Sequence, residues 1–301
     1  MRKVTDIYTK CNLCPRNCNV DRRISTGFCN SYDKVKVARA ALHYWEEPCI
    51  SGKDGSGTVF FSGCNLKCCF CQNYNISNDC FGKMISVERL GEIFLELQDK
   101  GANNINLVTA VQYIPSIIEA LDKVKYKLNI PVVYNSGGYE NVDTLDILKD
   151  YVDIYLPDIK YFDKNLSKKY SLADDYFERA SEAVIKMIDN TGELKFNEKG
   201  IMQSGVIVRH MVLPSCYKDS IKILNWINEH IPKDKFLISL MSQYTPFYKA
   251  SEHPEINRRV TTYEYNKVVD EALRLGLDRG YIQEKSSAKE EYTPPFDLEG
   301  V

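Results

Sequence analysis

The sequence of 301 residues has no long apolar run and no excess of positive charge. A helix that crosses a bilayer needs about 20 consecutive apolar residues, so the sequence predicts no membrane span. The formal net charge of −2 gives no sign of a surface for nucleic acid. The first residues lack the apolar segment of a secretory signal, which predicts a cytoplasmic protein.

Cysteine, by contrast, is abundant, with eleven residues in the chain. Disulfides are rare in the reducing cytosol, so many cysteines in a chain without a secretory signal indicate metal ligands. Seven of the cysteines fall into two spaced groups, one near the N-terminus and one after a short apolar run. We therefore expect metal chemistry at two segments of the chain.

The second group, Cys64, Cys68 and Cys71, has the spacing C-x3-C-x2-C and follows an apolar run at residues 58–61, which predicts a buried strand. A loop with this spacing can wrap one iron–sulfur cluster, because each thiolate can reach a different iron. Three ligands on a four-iron cluster leave one iron free for a small molecule. Structural zinc is the other interpretation, but it normally needs a fourth ligand, and Cys69 is badly placed for that role.

The same loop, with Phe70 before its last cysteine, resembles the signature of the radical S-adenosylmethionine (SAM) superfamily. The resemblance implies a [4Fe-4S] cluster on Cys64, Cys68 and Cys71, with SAM on the open iron and Phe70 against the adenine. One electron, from a reductant such as flavodoxin or ferredoxin, would then cleave SAM to methionine and a 5′-deoxyadenosyl radical. Such clusters are oxygen-labile, which would suit an anaerobe.

The first group lies within residues 1–56, which the sequence predicts to be an irregular cysteine-rich module. Cys11, Cys14, Cys18 and Cys29 have the spacing C-x2-C-x3-C-x10-C. Four cysteines complete a tetrahedral site, so structural zinc is one interpretation. A second iron–sulfur cluster is another, since spacing does not separate the two. Thiols without a metal are the third.

From residue 57 onward, candidate strands alternate with amphipathic helical segments. The strand candidates are residues 57–62, 104–109, 130–135, 152–157, 205–210 and 236–241. Alternation of this kind favours parallel βαβ units, and by itself it leaves a doubly wound sheet open. Together with the cluster motif, it predicts an α/β fold with a partial (β/α)6 TIM-like barrel over residues 57–285. Residues 286–301 are predicted to be a C-terminal tail.

Polar residues follow several of these strands, at the end where parallel sheets and barrels place their chemistry. Asp158 and Lys160 lie two residues apart, so they point the same way if the strand persists. His210 ends the fifth strand and is either a pocket residue or a hydrogen-bonded core histidine. The other candidates for binding the cofactor are Thr109, Asn135, Ser136, Gly137 and Gln243.

Asp158, Lys160 and Arg209 carry a second, more specific resemblance, to the activases of glycyl radical enzymes. In that branch the matching residues line the cavity for SAM and substrate, which implies that these three residues are catalytic. Over nearly its full length the chain resembles uncharacterised proteins similar to pyruvate formate-lyase activating enzyme. The implied function is an activase-like oxidoreductase that abstracts hydrogen from a glycyl radical enzyme.

The chain also departs from the activase pattern at two strand ends. Activases carry Gly-Gly-Glu after the second strand, where this chain has residues 109–112, and a histidine after the sixth, where the closest position is Gln243. A radical SAM enzyme that acts on a small molecule or peptide is therefore the alternative. A non-catalytic electron carrier is the third interpretation, and it is disfavoured because a carrier needs no substrate pocket.

Overall fold

The computed structural model describes residues 4–283 and 293–301 of the chain. Over these ranges the strands are β1 Lys36–His43, β2 Ser56–Phe61, β3 Lys83–Met84, β4 Ile105–Val108, β5 Val132–Ser136, β6 Ile154–Pro157, β7 Lys195–Phe196, β8 Met202–Met211, β9 Leu237–Met241 and β10 Gly280–Ile282. The α-helices are α1 Pro48–Ser51, α2 Tyr74–Ser77, α3 Val87–Asp99, α4 Ile114–Val124, α5 Val142–Leu148, α6 Lys164–Ser171, α7 Tyr176–Thr191, α8 Tyr217–His230 and α9 Thr262–Arg274. Short 3-10 helices cover Val4–Lys10, Val111–Tyr113 and Ala250–Glu252. No helix within the described ranges is long and apolar enough to span a membrane.

The strands form an open and mostly parallel sheet. Strands β2, β4, β5, β6, β8, β9 and β10 lie side by side in this order, and each neighbouring pair is parallel. β1 pairs antiparallel with β2, β3 pairs with β1, and β7 pairs antiparallel with β8. Six of the parallel strands overlap the six predicted strands, and the predicted partial (β/α)6 TIM-like barrel is confirmed.

Helix α3 shows how local sequence builds the outer layer of the barrel. The hydroxyl of Ser86 caps the helix by accepting a hydrogen bond from the amide of Arg89 at 3.1 Å. Leu90, Ile93 and Leu97 recur three to four residues apart and are fully buried in the main core. Burial of each such side chain stabilises the fold by about 1.5–3 kcal/mol.

The N-terminal segment packs on the outside of the barrel. Residues 4–35 begin with a 3-10 helix, and the hydroxyl of Tyr8 lies 3.0 Å from that of Ser116 in helix α4. β1, which also lies within the predicted module of residues 1–56, joins the sheet of the barrel directly. The boundary of that module stays a prediction.

The predicted C-terminal tail, residues 286–301, lies partly outside the described residues. Its described part runs along β1, where the amide of Ala40 donates to the carbonyl oxygen of Glu299 at 2.8 Å. The ring of Phe296 packs edge-on against Phe60 of β2, with 5.5 Å between ring centroids. The end of the chain is therefore held against the first strands of the sheet.

Candidate active site

The loop with Cys64, Cys68 and Cys71 follows β2 and is fixed by backbone hydrogen bonds to the end of α6. The amide of Lys67 donates to the carbonyl oxygen of Ser171 at 3.4 Å, and the amide of Cys69 donates to that of Tyr170 at 2.8 Å. The side chain of Asn65 donates to the carbonyl oxygen of Tyr139 at 2.5 Å. These contacts hold the loop at the carboxyl ends of the strands.

Two of the three sulfurs of this loop lie beside a hydroxyl group, as metal-bound sulfurs often do. The hydroxyl of Ser171 donates to Cys68 Sγ at 3.0 Å, and Cys71 Sγ lies 3.2 Å from the hydroxyl of Ser77. Burial raises the pKa of Cys64 to about 12 and that of Cys71 to about 11. A thiolate at these positions therefore needs a cation beside it, which iron provides. The donor set fits an iron–sulfur cluster.

Cys68 and Cys71 open onto a cleft of about 220 Å³. The cleft lies at the carboxyl ends of β6, β8 and β9, as expected for a parallel barrel. The predicted site residues that line it are Phe70, Asp158, Lys160, Arg209 and Gln243. The structure therefore brings five of the predicted residues together beside the cysteine loop.

Asp158 joins the two cations of the cleft. Its carboxylate lies 2.5 Å from Lys160 Nζ and 3.0 Å from Arg209 Nε. Burial alone would raise the pKa of Asp158, but the charges of Arg209 and Lys160 hold it below its usual range. The three groups therefore form a charged chain with one net positive charge at the wall of the cleft.

Glu46 continues this chain beneath the cleft. Its carboxylate lies 3.3 Å from Arg209 Nη1 and accepts a hydrogen bond from Asn135 Nδ2 at 3.2 Å. Asn135 Oδ1 in turn accepts from Arg209 Nη2 at 2.6 Å. Burial raises the pKa of Glu46, although Arg209 opposes the shift. The sequence analysis did not select Glu46, although two adjacent carboxylates before Pro48 were an available signal.

Tyr176, the first residue of α7, ties together the ends of two strands at the site. Its hydroxyl lies 2.7 Å from the carbonyl oxygen of Gly137 and 2.9 Å from that of Asp158, and it accepts from the amide of Lys160 at 3.0 Å. Next to it, Gly138 has a φ of +80°, and a Cβ there would lie 2.1 Å from the Asp158 carbonyl oxygen. The close approach of the two loops therefore depends on glycine and on Tyr176, which the sequence analysis did not select.

Five predicted residues do not line the cleft, namely Thr109, Asn135, Ser136, Gly137 and His210. Ser136 Oγ accepts from the amide of Gly138 at 3.2 Å, so this hydroxyl shapes the loop after β5. The amide of Thr109 donates to the carbonyl oxygen of Asn135 at 2.9 Å. Asn135 and Gly137 lie just behind the cleft wall, through their contacts with Arg209 and Tyr176 respectively.

His210 faces away from the cleft because it alternates along β8 with Arg209 and Met211, which both line it. Its ring is buried, and Nδ1 lies 2.6 Å from the carbonyl oxygen of Ile159. Among the described residues, Nε2 has no hydrogen-bond partner. The structure therefore places His210 as a core histidine and not as a pocket residue.

As the pH falls from about 7 to about 5.5, we expect the free energy of unfolding of the His210→Asn variant to decrease less than that of wild type. Burial lowers the pKa of His210 to about 4. A histidine with a depressed folded-state pKa contributes its full stability above the unfolded pKa, and this contribution is lost as pH falls toward the folded pKa. Wild type should lose about 1 kcal/mol at this residue over that range. Anaerobic thermal unfolding measures the difference.

The matched control for this prediction is His230→Asn, because His230 is exposed on α8. The stability of this control should depend on pH in the same way as that of wild type. The same pH dependence in wild type and in His210→Asn would contradict the prediction.

The four N-terminal cysteines, Cys11, Cys14, Cys18 and Cys29, line a second cavity on the outer side of the cysteine loop. Asn65, the neighbour of Cys64, lines the same cavity. The structure therefore brings all four predicted residues together, and it places them against the loop of the first site.

Comparison with known proteins identifies a family over more than half of the chain. Residues 58–227 match the model described as the radical SAM superfamily. A protein of Methanocaldococcus jannaschii with the description "Uncharacterized protein MJ0674" is 32% identical over 287 residues, which are 92% of this chain and 78% of that protein. The pyruvate formate-lyase-activating enzyme of Clostridium pasteurianum is 25% identical over 169 residues, which are 54% of this chain and 65% of that enzyme.

Among solved structures, methylornithine synthase (PylB) has the same fold. It superposes with a TM-score of 0.52 at 14% sequence identity, over 92% of this chain and 69% of the synthase. At this level of identity the likeness shows a common fold.

Proposed function

Because the chain belongs to the radical SAM superfamily, whose members use a [4Fe-4S] cluster and SAM, we propose that Cys64, Cys68 and Cys71 hold that cluster. The observation that carries this proposal is the loop of three half-buried cysteines, two of which, Cys68 and Cys71, open onto a charged cleft. When bound together, the cluster and SAM supply a one-electron cleavage that gives methionine and a 5′-deoxyadenosyl radical.

The cleft residues would bind and orient SAM. Phe70 offers an aromatic surface for the adenine, and it is itself held edge-on by Tyr244 at 5.6 Å between ring centroids. Lys160 and Arg209 present positive charge to a carboxylate, and Asp158 presents negative charge to an ammonium or sulfonium group. Because these charges are already fixed by one another, they orient a charged ligand with little further ordering.

The substrate that we propose is a glycine Cα of a glycyl radical enzyme, from which the protein abstracts hydrogen. Two observations support this choice. The charged chain of Asp158, Lys160 and Arg209 matches the activase pattern and lies in the cleft. The chain is also similar over 169 residues to a pyruvate formate-lyase-activating enzyme. A one-electron donor of the flavodoxin or ferredoxin class would supply the reducing electron.

A second candidate is a small-molecule or peptide substrate, because residues 109–112 depart from the activase pattern. Gln112 ends the segment that replaces the Gly-Gly-Glu of the activases, and its Nε2 donates to the carbonyl oxygens of Ser62 and Gly63 at 3.1 Å and of Thr109 at 2.7 Å. The side chain thus braces the cysteine loop. The carboxylate of Glu46 adds a further acidic group beside Arg209, which lines the cleft.

The two candidates are separated by mixing the reduced protein, SAM and a glycyl radical enzyme from the same genome under anaerobic conditions. We expect the EPR doublet of a glycyl radical to appear, and we expect a Cys71→Ala control to produce none. Consumption of SAM without any glycyl radical would contradict activase function and favour the second candidate.

A further inference from the structure

The segment that carries Glu46 lies inside the barrel. Residues 44–52 connect β1 to β2 and include the short helix α1. Ile50 of this segment is fully buried in one cluster with Val133 of β5 and Leu156 of β6. Both positions alternate along their strands with residues of the main core, so they face the inside of the barrel. Leu156 also lies two positions before Asp158, which lines the cleft, so the segment lies beneath the cleft.

Hydrogen bonds fix the backbone of this segment. The amide of Glu46 donates to Ser51 Oγ at 3.1 Å, and the Ser51 hydroxyl donates to the carbonyl oxygen of His43 at 3.2 Å. The side chain of Asn104, just before β4, donates to the carbonyl oxygen of Ile50 at 2.8 Å. The backbone at Glu46 is therefore held both by its own loop and by the sheet.

The carboxylate of Glu46 accepts hydrogen bonds from three strands of the barrel. Its Oε1 accepts from Nδ2 of Asn106 on β4 and from Nδ2 of Asn135 on β5, both at 3.2 Å. Its Oε2 accepts from Nη1 of Arg209 on β8 at 3.3 Å. The side chain is only 11% exposed, so each donor would be costly to leave without this acceptor.

With Glu46 in place, the guanidinium of Arg209 is held at all three of its nitrogens. Nε donates to Asp158 Oδ1 at 3.0 Å, and Nη2 donates to Asn135 Oδ1 at 2.6 Å. Nη1 is the nitrogen that donates to Glu46. A planar group that is bound at three points keeps one orientation, and this group lines the cleft.

The neighbouring carboxylate of Glu47 differs from that of Glu46. Burial alone would lower the pKa of Arg209, but the charges of Asp158, Glu47 and Glu46 raise it. Glu47 is therefore close enough to act on Arg209 through its charge. Its Oε2, however, has no hydrogen-bond partner among the residues that the structure describes. The charge of Glu47 and the hydrogen bond from Glu46 can thus be separated by experiment.

We propose that Glu46 is a positioning residue for SAM binding, because its carboxylate holds Arg209 in one orientation at the cleft wall, ready for the carboxylate of SAM. The role rests on the proposed function, since it assumes that SAM binds in the cleft. Glu46 lies before residues 58–227, which match the superfamily model, so the N-terminal part of the chain would complete the SAM site.

Equilibrium dialysis of SAM against anaerobically reconstituted protein, without reductant, tests the role through binding and not through turnover. Glu46→Gln should raise the Kd for SAM about tenfold, as expected for the loss of one charge-assisted hydrogen bond, with no change in iron content. Glu47→Gln should raise the Kd much less, because the hydrogen bonds of Glu46 remain. Glu119→Gln, which changes an exposed carboxylate on α4, should match wild type.

The same measurement in an Arg209→Met background separates positioning from a general structural role. If Glu46 acts through Arg209, Glu46→Gln should raise the Kd no further in that background. An equal rise in both backgrounds would overturn the proposal, because Glu46 would then act without Arg209. An equal rise in Glu46→Gln and Glu47→Gln would overturn it too, because charge alone would explain the effect.

Ser51→Ala provides a second variant in case Glu46→Gln fails to fold. It removes the hydroxyl that accepts from the Glu46 amide and leaves both carboxylates in place. This variant should raise the Kd for SAM only when Arg209 is present, and a rise of the same size in the Arg209→Met background would contradict the role. Wild type that binds no SAM would instead overturn the proposed function, and the positioning role with it.

Discussion

The SAM-dependent change in the EPR signal is expected to disappear completely when Cys64, Cys68 and Cys71 are replaced together by alanine. The structure places these thiols in one loop, where the Ser171 hydroxyl donates to Cys68 Sγ and the Ser77 hydroxyl lies 3.2 Å from Cys71 Sγ. Without thiolates, nothing in the loop can hold iron beside the cleft, and SAM has no open iron to chelate. EPR of the dithionite-reduced protein with and without SAM measures the effect.

The matched control for this prediction is Cys69→Ala. Cys69 lies in the same loop, but its side chain packs with Phe70 and Tyr244 in an apolar cluster. The control should keep its cluster and its response to SAM. A triple variant that still shows a SAM-dependent signal would mean that other residues hold the cluster.

A large loss of SAM cleavage with little loss of iron is expected for Asp158→Asn and for Lys160→Met. Asp158→Asn leaves Arg209 and Lys160 without the carboxylate between them, and breaking a buried pair in this way costs about 3–5 kcal/mol. The side chains of Arg209 and Lys160, which we propose orient SAM, would then shift. Removal of one such preorganised group lowers the rate by about 10²–10³, which we expect to see as slower release of 5′-deoxyadenosine.

Lys164→Met is the control for this pair of variants, because Lys164 is exposed at the start of α6, near the site but outside it. It should match wild type in both iron content and product release. If Asp158→Asn and Lys160→Met also match wild type in product release, the charged chain does not orient SAM.

The barrel was predictable because its determinants are local. Each predicted strand spans six residues and contains a short apolar segment, and helices such as α3 carry their own cap and apolar face. The cysteine loop was predictable for the same reason, since its spacing is contained in eight residues, 64–71.

The parts of the site that the sequence did not reveal depend on contacts between distant segments. Glu46 reaches Arg209 across 163 positions of sequence, and Tyr176 reaches Gly137 across 39. The sequence analysis selected His210 for the site for a simpler reason, since it neglected the alternation of side chains along the strand. Adjacent residues on a strand face opposite sides, so Arg209 and His210 could not both enter the cleft.

The central claim is that this chain cleaves SAM reductively, and the release of 5′-deoxyadenosine and methionine from anaerobically reconstituted wild type tests it most directly. With dithionite and SAM, we predict that the two products appear in equal amounts, slowly even without the true substrate, and not at all without reductant. Absence of both products, together with an EPR signal of the reduced cluster that SAM does not change, would contradict the account.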